Sequence, residues 1–198
     1  MKQVESFNYS VKHSTSLDNF YVKSTAEDFS SVNIPNIPTD NTEIHSSDNE
    51  SIGKYSIFDI ANWFLIKKNM THKKLQKLCY YAQAWCYALK GYRLANIDFQ
   101  AWLHGPVSPA LYDRFKGFGY QTIEINTAHK PVIEIQDQQL LEDVWETYGD
   151  KTGNALESLS HRELPWIEAR RGYTNNERCA AIITPESMIR YYKSIYKG

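Results

Sequence analysis

His104 and His161 carry the most obvious chemical potential in this chain. A histidine titrates near neutrality, so it can move a proton or hold a metal ion. His104 sits in "FQAWLHGPVSPALYDRF" (Phe99–Phe115), directly before a Gly-Pro step. His161 sits in "SHRELPWIEARR", two residues before Glu163. Two imidazoles and a carboxylate would make a conceivable zinc set or the base of a His-dependent hydrolase. The spacing does not favour either. No HExxH, no Cys/His cluster at ligand spacing, no GxSxG elbow and no glycine-rich phosphate loop occurs. His129 is isolated. His104 is expected to be a turn residue bonded to backbone, and neither a metal nor a cofactor is expected.

The other reactive side chains are equally dispersed. Cys79 and Cys86 would lie on one helix about 10 Å apart along its axis, too far for a disulfide. With Cys179 they form no CxxC pair, which points to a reducing, cytoplasmic setting. No apolar run is long enough to span a membrane, and no signal-peptide layout opens the chain. Lys67, Lys68, Lys73, Lys74 and Lys77 cluster at the junction of two expected helices and could meet RNA or an acidic partner. The net charge of −1 over 198 residues favours ordinary solvated surface and makes nucleic acid an unexpected partner. Trp166 and Arg170 are residue types that anchor protein interfaces, although Trp166 also suits a packed bend.

The elements that must position these groups are mostly helical. "SIFDIANWFLIKKN" places Ile57, Ile60, Ala61, Phe64 and Leu65 at helical spacing behind the candidate N-cap Ser56. "THKKLQKLCYYAQAWCYALKG" is the strongest helix, capped by Thr71 and closed by Gly91. Its stripe of Leu75, Leu78, Cys79, Ala82, Trp85, Cys86 and Leu89 marks it as central to the core. "DFQAWLHG" is extended, and Ser108 with Pro109 then starts a helix ended by Gly117 or Gly119. "QTIEINTAHKPVIEIQD" alternates around a turn, which predicts a β-hairpin or two short strands. Helices follow over 138–148, before and after a break at Leu164–Pro165, and from Thr184–Pro185. Ser160–Glu163 has the form of a capping box, and Arg170 and Arg171 suit a helix C-terminus.

Residues 1–53 read differently. "STAEDFSSVNIPNIPTDNTEIHSSDNES" is rich in Ser, Asn, Asp and Thr, and buries too little apolar surface to offset its ordering entropy. It is expected to be disordered or ordered only by a partner, with Asp18–Val22 as its one anchoring candidate. The expected architecture is mainly α. It is a compact single-domain helical bundle over 54–198 with a minor β-hairpin, preceded by a polar N-terminal extension.

Three segments together carry a family resemblance. Lys74, Leu75, Lys77, Leu78, Tyr80, Tyr81 and Gln83 form a KLxKLxYYxQ helix. Ala101, Trp102, Gly105, Pro106 and Val107 form an AWxxGPV turn, and Ser160, His161, Trp166 and Arg170 follow in order. The chain resembles the Panacea domain, the SocA-like antitoxin family also found among phage-associated proteins, over about residues 56–171. The resemblance implies a small helical antitoxin that neutralises a cognate protein toxin by direct binding. In one branch of the family the antitoxin is instead an adaptor presenting its toxin to a cellular protease. It implies no catalytic residues, hence no enzyme. The candidate toxin-binding or motif residues are Lys77, Tyr80, Tyr81, Trp102, His104, Gly105, Pro106, Tyr112, His161, Trp166 and Arg170. Tyr80 or Tyr81 is expected at the edge of the helix stripe and Tyr112 on the helix after the turn. Toxin specificity could reside in the extension or in "TIEINTAHKPVIEI".

Overall fold

Thr71 and Gly91 bracket the longest helix in a computed structural model that describes residues 53–124, 130–174 and 176–197. The Thr71 hydroxyl accepts from the Lys74 N–H, and Gly91 closes the helix at φ 74°. The polar extension, Asp18–Val22 included, lies outside the described residues apart from Gly53. So do Ile125–His129.

Among the described residues the order is α1 (Ile57–Lys67), β1 (Met70–Thr71), α2 (His72–Lys90), β2 (Gln100–Trp102), β3 (Gly105–Val107), α3 (Pro109–Phe115), β4 (Thr122–Ile123), α4 (Ile135–Tyr148), α5 (Gly153–Ser160), α6 (Leu164–Ala169) and α7 (Pro185–Ile195). The expected mainly helical architecture is therefore found. Ser56, Ser108 and Thr184 cap α1, α3 and α7 as the sequence predicts, each hydroxyl accepting a backbone N–H of the first turn.

The helix α2 is the axis of the fold, with α1, α4, α5 and α7 packed round it. Every residue from Leu75 to Ala88 is buried. The expected one-sided stripe is thus replaced by burial on all faces, and Leu89, assigned to that stripe, is exposed. Tyr81 stacks on Tyr148 at 4.0 Å between centroids, and Trp85 meets Tyr192 edge to face at 4.8 Å. Fully burying such side chains contributes roughly 1.5–3 kcal/mol apiece. The polar residues on α2 are accommodated by binding loop backbone. Gln76 both donates to the Ser108 carbonyl and accepts the Ser108 N–H, and Gln83 accepts the Ala95 N–H.

A second fixed point lies at the start of α4. The buried Asp137 carboxylate accepts from Lys54 Nζ at 2.9 Å, Tyr55 Oη at 2.7 Å, Lys90 Nζ at 3.2 Å and the Tyr92 hydroxyl. This ties the chain ahead of α1 and the exit of α2 to α4.

The hairpin is found in a different place from the one expected. Gln100↔Val107, Ala101↔Pro106 and Trp102↔Gly105 pair antiparallel across Leu103–His104. In the segment over 121–137, Thr122–Ile123 pairs instead with Met70–Thr71, and Ile135 already begins α4. Alternation misled there because Val132 and Ile135 face solvent and bury no sheet face. The break expected at Leu164–Pro165 falls at 161–163, with Pro165 inside the first turn of α6, where a missing N–H costs nothing. Ser160 and Glu163 form no capping box. The Ser160 hydroxyl donates to the Glu157 carbonyl, and the Glu163 side chain makes no cap bond.

Candidate functional site

The β2–β3 hairpin, itself one of the three sequence motifs, is held by side chains of the other two, on α2 and at α6 with its C-cap. Lys77 reaches from α2 and donates to the Pro106 carbonyl at 2.9 Å. Arg170, just past α6, donates to the Ala101 carbonyl at 2.9 Å, and Trp166 Nε1 donates to the Trp102 carbonyl at 3.0 Å. Main-chain bonds complete the frame: Ala101 N–H donates to Ala181 and Ile183 N–H to Phe99. Backbone groups without a sheet partner are expensive to bury, so these side chains do what further strands would do elsewhere.

Gly105 explains why the turn needs glycine. Its φ is +91°, and a Cβ there would lie 2.8 Å from both Lys77 Cε and the Ser160 hydroxyl. The hairpin therefore packs directly on α2 and the end of α5. Lys77 is 1 % exposed, and burial pushes its ammonium down to about 7. Arg170 is also buried. Its other guanidinium nitrogen donates to the Thr174 and Glu177 carbonyls, so its expected role at a helix dipole is replaced by bracing the hairpin and the loop after α6.

The half-exposed face of this frame is aromatic. Trp102 and Tyr112 meet edge to face at 4.9 Å, and His72 lies 6.1 Å from Tyr112. Trp102 Nε1 is tethered to Gln100 Oε1 at 2.7 Å. His161 stacks on Trp166 at 4.1 Å, and the Arg170 guanidinium lies 5.0 Å from that ring. Burial lowers the pKa of both His72 and His161.

His104 is not bonded to backbone. Its Nδ1 lies 3.0 Å from Glu157 Oε1, while Glu157 Oε2 accepts from Lys73 at 2.6 Å. Burial opposes ionisation of Glu157, but the bonds from Lys73 and His104 prevail and lower its pKa. His104, His161 and Glu163 are held by different partners. Among the described residues no group of three His, Cys, Asp or Glu is arranged to hold a metal ion. The nearby Ser160 hydroxyl is buried and committed to a helix carbonyl, so it is not poised as a nucleophile.

Tyr80 and Tyr81 lie in the core and not at its edge. Tyr81 and Tyr192 both donate to the buried carboxylate of Glu163, at 3.3 and 2.8 Å. Burial lifts that carboxyl to about 7 against these two bonds. Gln76, Glu157 and Asp137 are organising residues that the sequence did not single out, and Glu163, weighed there as a metal ligand or capping-box residue, organises the core instead. Their only signal was polarity inside or beside apolar runs.

Among the described residues, four of the five lysines of the cluster are internally engaged, Lys77 as described above, and Lys68 is the exception. Lys67 pairs with Glu142, Lys73 with Glu157, and Lys74 donates to the Gly149 carbonyl. The three cysteines are free and buried. No helix among the described residues is long and apolar enough to cross a membrane.

No curated protein and no solved structure matches this chain. A family model does: the antitoxin SocA-like, Panacea domain matches residues 75–167, from the first leucine of the α2 motif to Ile167, one residue past Trp166. The hairpin, the lysine that anchors it and the His161–Trp166 stack all fall inside those limits, so this frame lies within the part of the chain that the SocA-like Panacea model matches.

Proposed function

We propose that this protein is the antitoxin of a toxin–antitoxin pair and neutralises a cognate protein toxin by direct binding. The observation that carries this is the Trp102–Tyr112 pair, half-exposed on a hairpin whose backbone is braced from α2 and α6. Preorganised aromatic side chains lose little freedom on binding and bury large areas, which is what an interface anchor requires. His104, at the hairpin tip, and Trp166 border the same surface. Lys77, Tyr80, Tyr81, Gly105, Pro106, His161 and Arg170 act by positioning it.

In this reading residues 54–198 are the folding unit and residues 1–53 are appended to it. The three free thiols fit a cytoplasmic setting. The test is co-expression with the product of the adjacent open reading frame. Rescue of growth and a co-eluting complex on gel filtration are expected, both weakened by Tyr112→Ala. Failure of rescue with no complex overturns the proposal. Rescue accompanied by a shortened half-life of the partner would assign the protein instead as an adaptor for a protease.

A further inference from the structure

The outer side of α6 carries an exposed apolar pair flanked by two exposed arginines. Leu164 and Ile167 are 47 % and 44 % exposed and lie one turn apart. Arg162 precedes them and Arg171 follows, both exposed, and neither makes an ion pair among the described residues. The carboxylates close by are already engaged: Glu168 by Arg190 at 2.5 Å, and Glu177 by the Thr174 N–H at 3.1 Å.

The same chain contains a segment of complementary chemistry. Residues 24–50 hold Glu27, Asp28, Asp40, Glu43, Asp48 and Glu50 and no Lys or Arg, together with Ile34 and Ile37. We infer that residues 24–43 dock on the α6 face, their carboxylates against Arg162 and Arg171 and their isoleucines over Leu164 and Ile167.

Charge favours this face over the exposed apolar patch at Val132 and Ile135. Val132 and Ile135 lie nearer the point where the chain enters the fold, at Lys54. At that patch the nearby cations are already engaged, Lys54 by Glu134 and Asp137 and Lys67 by Glu142, so an acidic segment finds no free partner in them. Reach is sufficient. Gly53 packs beside Ala95 and Asn96, just beyond the C-terminus of α2. Glu163, at the start of α6, contacts Tyr81, about halfway along that helix. The whole of α2 is about 28 Å long at 1.5 Å per residue. About ten extended residues at 3.3–3.6 Å each would cover that length, which brings Glu43 and the residues before it onto α6.

The test uses the full chain and a zero-length carbodiimide, which joins a lysine amine to a carboxylate in contact with it. R162K and R171K keep the charge and place an amine on the face, while Q139K places one on α4. Intramolecular crosslinks from positions 162 and 171 to the carboxylates of residues 24–43 are expected. Their yield should be about tenfold above that from Q139K, and should fall about tenfold in 1 M salt, where the Debye length is ~3 Å. The Lys73–Glu157 pair is the internal control. If that control forms and no such crosslink appears, the inference is overturned. It is also overturned by crosslinks that join two chains, or by a yield that salt leaves unchanged.

Discussion

The Lys77 ammonium donates to the Pro106 carbonyl at 2.9 Å from a position with almost no access to water. No carboxylate pairs with it directly, so burial depresses its pKa to about 7 against an ordinary 10.5. The unfolded chain then holds more protons between these two values, and stability rises with pH across that window. The slope attributable to this group is at most about 1.4 kcal/mol per pH unit. Denaturant unfolding at pH 7, 8 and 9 should show the rise in the native protein, and Lys77→Met should flatten it.

Glu163 works in the opposite sense. Burial raises its folded pKa to about 7 from an ordinary 4.5, although Tyr192 and Tyr81 donate to it. The folded state holds more protons between 4.5 and 7, so this group's contribution falls as pH rises through that interval. Glu163→Gln keeps a hydrogen-bonding carbonyl and removes the charge. Its stability relative to the native protein should improve steadily from pH 5 to pH 8, read as a growing difference in urea midpoint.

Asp137 supplies the acid limit. Burial would raise its pKa, but donors from Tyr92, Tyr55, Lys54 and Lys90 outweigh it and hold the carboxyl at about 2. Its contribution is complete above about pH 4 and is lost as pH falls through 2. Asp137→Ala should cost about 2–3 kcal/mol at pH 7, because the Tyr55 and Tyr92 hydroxyls lose their acceptor and the ties from Lys54 and Lys90 are cut. The same variant should show a weaker further loss between pH 4 and 2, measured by thermal or urea unfolding.

Gly105→Ala tests the close approach of hairpin and helix. The left-handed φ costs an alanine about 1–2 kcal/mol, and overpacking against Lys77 and Ser160 adds about 1–3 kcal/mol. In a double-mutant cycle with Lys77→Ala, which removes Cε and Nζ, the packing part should shrink and the backbone part should remain. Full additivity would mean that Lys77 is not the obstacle.

Tyr112→Ala separates binding from folding. Tyr112 is half-buried against Trp102 on the outer face, so its loss should cost about 2 kcal/mol in toxin affinity, roughly 30-fold, with a smaller effect on unfolding. Tyr81→Phe, deep in the core, should do the reverse. Titration calorimetry and urea unfolding on both variants would check the split.

Local chemistry was legible from the amino-acid sequence. Caps at Ser56, Thr71, Ser108 and Thr184, and the left-handed stop at Gly91, are decided within a few residues, and each lies where the residue types predict. The helical class and the Panacea resemblance were legible for the same reason, since each motif is a contiguous run. What three-dimensional packing decided are contacts between residues far apart in the chain. His104 bonds Glu157 and not its own turn; Arg170 bonds Ala101; the strand at 122–123 pairs with 70–71 and not with its neighbours. A polar residue such as Lys77 or Glu163 looks like surface or a cap until the surrounding elements close over it. Desolvation then fixes both its partner and its charge, and no window of sequence contains that information.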